Sequence, residues 1–269
     1  MRCSSDTPGH QPEQLWALKL QWPMVAGGVS SRGDFNPEDD RSGLNISYHV
    51  GDEQSRVREN RRRILEDMGC EGRICVRAEQ VHGNDVFQVT DSSLQHLPGC
   101  PSGLYVPETD GLVTDSSRVV LNLAYADCVP VLLYCPDPLT VGVLHAGWRG
   151  TASQIGRKGI ETMVSMGCRA EDVQAVIGPA ICGACYEVGP EVIEAMQEVP
   201  GASEVLEAPP HDHVDLKALN RLTLAACGVP DEAIEVSDLC TRCGPVPLFS
   251  YRGARGRTGL HGAFIAITR

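Results

Sequence analysis

The stretch from Val119 to Ala146 constrains the fold more than any other part of the chain. Residues 119–134 (VVLNLAYADCVPVLLY) form an apolar run rich in β-branched side chains, and a second apolar run (TVGVLHAGW) starts at Thr140. The turn sequence Pro136-Asp137-Pro138 lies between them. Apolar runs of this length, without strict polar alternation, belong to strands covered on both faces. The cover has to come from the rest of the chain.

Helical spacing supplies much of it. Val57, Ile64, Leu65 and Met68 predict a helix over Arg56–Met68 that stops at Gly69, and a second helix is expected over Ala152–Met166, ended by Gly167. PEVIEAMQEV, with Pro190 at its start, and VDLKALNRLTLAACG, closing near Gly228, are two more. Residues 74–89 predict two strands around a turn at His82-Gly83-Asn84, and VQAVIGP, AIEVSD and GAFIAI predict further strands. Residues 29–45 are expected to form a long loop and residues 1–14 a frayed polar tail, leaving 15–269 as a single domain. The fold class is α/β (α+β), a mixed sheet covered by helices.

Composition narrows the function. A formal net charge of −12 disfavours nucleic acid and anionic membrane surfaces as partners. No run of about 18 apolar residues is present, and the start MRCSSDTPGHQPEQ lacks a basic-then-apolar signal pattern. Twelve cysteines in such a chain are expected to be reduced, which places the protein in the cytoplasm. P-loop, dinucleotide-binding GxGxxG, HExxH, GxSxG and HxE…PCxxC patterns are all absent, removing the mechanisms they carry.

Three polar clusters remain at the ends of apolar segments: Gln80-Val81-His82-Gly83, Ala126-Asp127-Cys128-Val129-Pro130, and His145-Ala146-Gly147-Trp148-Arg149-Gly150. Strand ends are where α/β folds place their sites. A glycine-containing strand-to-helix turn at Gly147 offers backbone N–H groups to an anion, and Arg149 adds a planar charged fork. Cys128 alone reads as core. With His82 and His145 it becomes a two-histidine, one-thiolate ligand set for zinc that leaves a fourth position open, the catalytic arrangement. The same residues also suit a cysteine hydrolase with Cys128 as nucleophile and His145 or His82 as base.

The ordered set QVHG (80–83), ADCVPVLL (126–133), HAGWRG (145–150), GP…CYEVG (178–189) and SYRG…GRTG (250–259) resembles the YfiH family, also called the laccase-domain, polyphenol-oxidase or DUF152 family. The resemblance runs from about Gly27 to the C-terminus. It implies a mixed α/β sandwich related to cysteine hydrolases, with His82, Cys128 and His145 as ligands of zinc, copper being the alternative ion. It implies action on purine nucleosides with phosphate: phosphorolysis of adenosine, inosine or methylthioadenosine, and deamination of adenosine. Hydrolytic editing of a UDP-muramyl peptidoglycan precursor is the alternative. Asp127 is then expected to shuttle protons beside the metal, and Arg149, Gly147, Asn45, Tyr186 and Arg252 to contact nucleoside or phosphate. A four-copper oxidase is disfavoured, because the chain has 8 histidines and only one HxH pair, His211-Asp212-His213. His261 is expected to approach the pocket.

Two CxxC pairs complete the set, Cys182-Gly-Ala-Cys185 and Cys240-Thr-Arg-Cys243. They stand much further apart than the ligands of short ribbon-type zinc sites. Reduced, independent thiols are the expectation, with a structural four-cysteine zinc site as the alternative.

Overall fold

The computed structural model describes residues 14–207 and 210–268, so the expected tail lies, apart from Gln14, outside the described residues. In chain order the strands are β1 (Trp16–Lys19), β2 (Val25–Ser30), β3 (Ile74–Ala78), β4 (Val86–Gln88), β5 (Gly99–Cys100), β6 (Gly103–Val106), β7 (Gly111–Thr114), β8 (Val119–Tyr125), β9 (Val129–Pro136), β10 (Leu139–Ala146), β11 (Gln174–Ile177), β12 (Ile234–Val236) and β13 (His261–Ile267). The helices are α1 (Gln54–Asp67), α2 (Trp148–Ala152), α3 (Ile155–Ser165), α4 (Pro190–Met196), α5 (Ser203–Leu206) and α6 (Leu216–Ala226). Two mixed sheets result, in the orders β1-β2-β13-β8-β3-β6-β5 and β12-β11-β9-β10-β7-β4. No helix among the described residues is long and apolar enough to cross a membrane.

The apolar runs explain the layering. Successive side chains of a strand point to opposite faces, and here both faces are covered. Leu121, Leu123 and Tyr125 of β8 share one buried cluster with Leu132 and Tyr134 of β9 and Val141 and Val143 of β10, which fills the space between the sheets. Val120 of β8 belongs instead to a cluster with Phe264 of β13 and Ile64 of α1, on the outer face of the first sheet. Val131 and Leu133 of β9 and Leu144 of β10 pack with Ile160 of α3 and Leu219 of α6, on the outer face of the second. The order is helix, sheet, sheet, helices.

Helix ends follow the sequence signals. Gly69, Gly167 and Gly228 all adopt positive φ just past their helices. The Asp215 carboxylate accepts the Lys217 and Ala218 N–H groups at the start of α6.

The chain passes between the two sheets several times, and these passages build the site. Residues 79–85 lead from β3 in the first sheet to β4 in the second. Residues 107–110 lead from β6 to β7, and residues 126–128 from β8 to β9, again from first sheet to second. The return from β12 to β13 runs through residues 237–260.

Several elements differ from the sequence expectation. The two strands around His82 exist but lie in different sheets. The helix expected over Ala152–Met166 is two helices, α2 and α3, because Gln154 takes a left-handed backbone (φ 59°) between them. The loop expected over 29–45 begins later, since Val29 and Ser30 end β2. The short strands β5, β6 and β7 lacked a periodic signal.

Helix α3 sits close on β10 because Gly159 has no side chain: a Cβ there would lie 2.7 Å from Leu144 Cδ1 and 3.1 Å from Leu133 Cδ1. Gly159→Val is therefore expected to lower stability by about 1–3 kcal/mol through overpacking, read as a reduced denaturation midpoint.

Candidate metal centre and its cavity

Three passages converge on one point. His82 comes from the first, Cys128 from the third, and His145 from the penultimate position of β10, where it pairs in register with Pro130 of β9. Their ligand atoms lie within 4.8 Å of one another. His82 is exposed, Cys128 half-buried and His145 buried, so the trio is open on one side only. The two imidazoles meet edge to face at 4.9 Å.

Asp110, on the second passage, holds this arrangement together. Its buried carboxylate accepts the N–H groups of Val81 (3.1 Å), His82 (3.1 Å) and Gly83 (2.7 Å). The same carboxylate meets His145 Nδ1 at 2.7 Å, and the Asp110 carbonyl accepts the His145 N–H, also at 2.7 Å. The amide nest fixes the His82 loop, whose histidine adopts φ 61°. Occupying Nδ1 of His145 leaves Nε2 to face Cys128. Burial alone would raise the Asp110 pKa, but the bond and charge of His145 and the amides of Gly83 and Val81 hold it below the usual carboxylate range.

The donors suit a metal electronically. Burial pushes the Cys128 thiol up, yet the His145 charge and hydrogen bonds from His145 and His82 outweigh it and bring Cys128 down to about 6. Burial pushes His145 down, yet the Cys128 thiolate and Asp110 raise it to about 9. Each partner thus favours the charged form of the other. Sterically the trio fits as well: a Cβ on Gly147 would sit 3.1 Å from both Cys128 Sγ and His82 Cδ2. Gly147 is thus a spacer that lets His82 and Cys128 approach each other. The expected anion-binding turn is weakened, because α2 is only 5 residues long.

The three ligands line a cavity of about 1010 Å³, at the upper end of the ~300–1,000 Å³ typical of small-molecule sites. Its walls carry aromatic faces (Tyr48, Tyr186, Trp148) and guanidinium groups (Arg149, Arg252). Arg149 lies over the Trp148 ring at 4.1 Å. Arg252 lies over Tyr186 at 5.2 Å and donates from Nη1 to the Glu187 carbonyl at 2.8 Å.

Two expected residues have other duties. The Asp127 carboxylate lies in the cavity wall, but Oδ1 accepts from Thr241 Oγ1 (2.6 Å) and Oδ2 from the Arg252 N–H (2.7 Å). It clamps the β12–β13 connection to the Cys128 corner, which corrects the reading of Asp127 as a free proton shuttle. Asn45 is fully buried; its amide nitrogen donates to the Ser47 carbonyl and Asp52, and its oxygen accepts from the Ser47 and Leu260 N–H groups. With that capacity filled it organises its loop, and its neighbours Ile46 and Ser47 line the cavity instead. His261 is fully buried against Tyr125 (6.3 Å) with both ring nitrogens unpartnered, and burial drives it down to about 3. It does not line the cavity, contrary to expectation. Asp110 had no sequence signal beyond an acid before a glycine at the start of a strand.

This sandwich and its cavity define a family before they define an activity. The chain belongs to the family described as multi-copper polyphenol oxidoreductase laccase, whose model matches residues 24–268, the group also called YfiH and DUF152. It is 36% identical over 273 residues to a Bacillus subtilis (strain 168) protein named purine nucleoside phosphorylase YlmD, covering 98% of this chain and 96% of that one. It is 34% identical to adenosine deaminase RL5 of an unknown prokaryotic organism, covering 87% and 92%. The crystal structure of YlmD from Geobacillus stearothermophilus superposes with a TM-score of 0.84 at 34% identity, covering 96% of this chain and all of that one.

Asp110→Asn is expected to weaken metal binding about 10–100-fold, the usual penalty for losing a carboxylate behind a ligating histidine, as measured by competition with a chelator. In metal-free protein, iodoacetamide alkylation of Cys128 is expected to reach half its maximal rate near pH 6. Lower pH protonates the thiolate and slows the reaction, and added zinc suppresses it at every pH.

Proposed function

We propose that this protein is a zinc-dependent purine nucleoside enzyme that cleaves adenosine, inosine or methylthioadenosine with phosphate and also deaminates adenosine. The observation that carries the reading is the His82–Cys128–His145 trio, open on one side, in the wall of a cavity offering both aromatic faces and arginines. The names of the relatives at 34–36% identity support the substrate class. Two imidazoles and one thiolate match a catalytic zinc set. A multi-copper centre needs clusters of histidines, and among the described residues the close groups of potential ligands are this trio and one set of four cysteines.

An ion held by His82, Cys128 and His145 would supply Lewis-acid charge in the cavity wall, able to activate water or polarise a substrate oxygen. The remaining work falls to the chain. Phosphorolysis joins a phosphate oxygen to C1′ of the ribose as the bond to the purine breaks, and the base leaves with a proton. Arg149 and Arg252 present guanidinium groups to the phosphate, each steadied by an aromatic ring. Tyr186, half-buried, presents a face on which a purine can stack. Asp127 is a positioning residue in this scheme, because it sets the backbone from which Arg252 projects.

The test is metal analysis of purified protein, then incubation with each nucleoside in phosphate buffer and chromatographic separation of products, with Cys128→Ala alongside. Free purine base and a zinc ion that depends on Cys128, both lost in the variant, are expected; inosine from adenosine marks the deaminase arm. Zinc without purine product would overturn the substrate class in favour of amide hydrolysis of a muramyl precursor. A metal-free protein with Cys128-dependent activity would favour the cysteine hydrolase, and copper would overturn the choice of ion. Arg149→Ala is expected to lower kcat/KM for phosphate about 10–100-fold, the loss of a charged hydrogen bond, with the metal retained.

A further inference from the structure

Four thiols serve neither the trio nor the cavity. Cys182 and Cys185 bracket a single turn after β11, and Cys240 and Cys243 bracket another after β12. β11 and β12 are parallel neighbours, paired Ala175–Ile234 to Ile177–Val236, and the pairing continues as a bridge between Ala180 and Cys240. Parallel strands release their following loops at the same end, so two CxxC turns distant in sequence arrive side by side.

The convergence is tight. The four sulfurs lie within 4.8 Å of one another, and Cys182 Sγ stands 3.9 Å from Cys243 Sγ. A tetrahedral zinc ~2.3 Å from each of four sulfurs sets them about 3.8 Å apart. A disulfide would need about 2.05 Å, and all four cysteines are free. Cys240 Sγ receives the N–H groups of Cys182 (3.3 Å), Arg242 (3.4 Å) and Cys243 (3.5 Å). Amide dipoles aimed at one sulfur stabilise a thiolate, the form a metal binds.

We propose that Cys182, Cys185, Cys240 and Cys243 hold a second zinc ion, structural and separate from the trio. Four protein ligands close the coordination sphere and leave no place for substrate, so the ion acts as a staple. Zinc is the chosen ion because holding two loops together requires no electron transfer. What it joins matters for the cavity. One loop carries Ile181 and Tyr186 into the cavity wall. The other carries Thr241, which donates to Asp127 at the Cys128 corner and whose N–H meets the Ala180 carbonyl. Arg242 adds a bond to the Cys185 carbonyl across the staple. The second ion therefore fixes the wall that carries Ile181 and Tyr186.

The test counts and locates metal in the full chain. Wild type is expected to hold two zinc ions per chain, Cys128→Ala one, and the double variant Cys185→Ser/Cys243→Ser one. Cobalt substitution should give intense sulfur-to-metal charge-transfer absorption that survives in Cys128→Ala and collapses in the double variant. In native wild type, mass-spectrometric mapping should find the four cysteines protected from iodoacetamide with zinc present and alkylated after chelation; this reading stands even if the double variant does not fold. A single zinc that Cys128→Ala removes, a disulfide among the four, or iron with its visible absorption would each overturn the proposal. None of these readouts depends on nucleoside turnover, so the assignment stands or falls independently of the catalytic reading.

Discussion

One buried carboxylate organises the site. Asp110 takes three consecutive backbone amides with its oxygens and also orients the imidazole of His145. A buried anion is tolerable only when its lone pairs are met by donors, and here the donors are the pieces of the candidate metal centre. The loop bearing His82 wraps the carboxylate, and β10 is anchored to its main chain at the position of His145. Two of the three ligands are thus placed by a residue that is not a ligand. The third, Cys128, is placed by covalent continuity, because it follows the corner where the chain leaves β8 for β9.

That corner has its own support. Asp127 adopts φ 89°, uncommon for a residue with a side chain. Its carboxylate is tied to Thr241 and to the main chain of Arg252, and its carbonyl accepts the Ile181 N–H. Contacts from two later loops therefore hold a corner formed early in the chain. The cysteine cluster lies within those same two loops. The wall of the cavity is a layered construction in which loops far from the trio determine how firmly Cys128 is held.

Much of this was readable in the sequence, for identifiable reasons. The strands β8, β9 and β10 announced themselves because both faces are buried and the runs stay apolar. Cys128 and His145 stood out as polar interruptions at the ends of those runs. Asp110 did not, since its role exists only where separate passages between sheets meet, and an acid before a glycine is an ordinary turn. The two CxxC pairs were visible, but a shared site ranked behind independent thiols because their convergence depends on β11 and β12 being parallel neighbours, a long-range pairing with no local signature. Gly147 carries a second constraint that the sequence did not announce: the absence of a side chain leaves room between Cys128 and His82. The break between α2 and α3 was invisible because Gln154 carries none of the glycine or proline punctuation that marks such a change.

The placement of the trio on passages between sheets has a thermodynamic side. His82 and Cys128 sit on separate crossings and His145 at a strand end in the second sheet. The three donors come within reach only when both sheets have paired and stacked. An unfolded or half-assembled chain offers no comparable pocket, so the free energy of any ion bound at the trio would become stability of the sandwich, growing as RT ln(1 + [L]/Kd) with free ion concentration. With an ion held there, metal supply and the integrity of the double sheet would be a single linked equilibrium, and the ion would report whether the two halves of the fold have met.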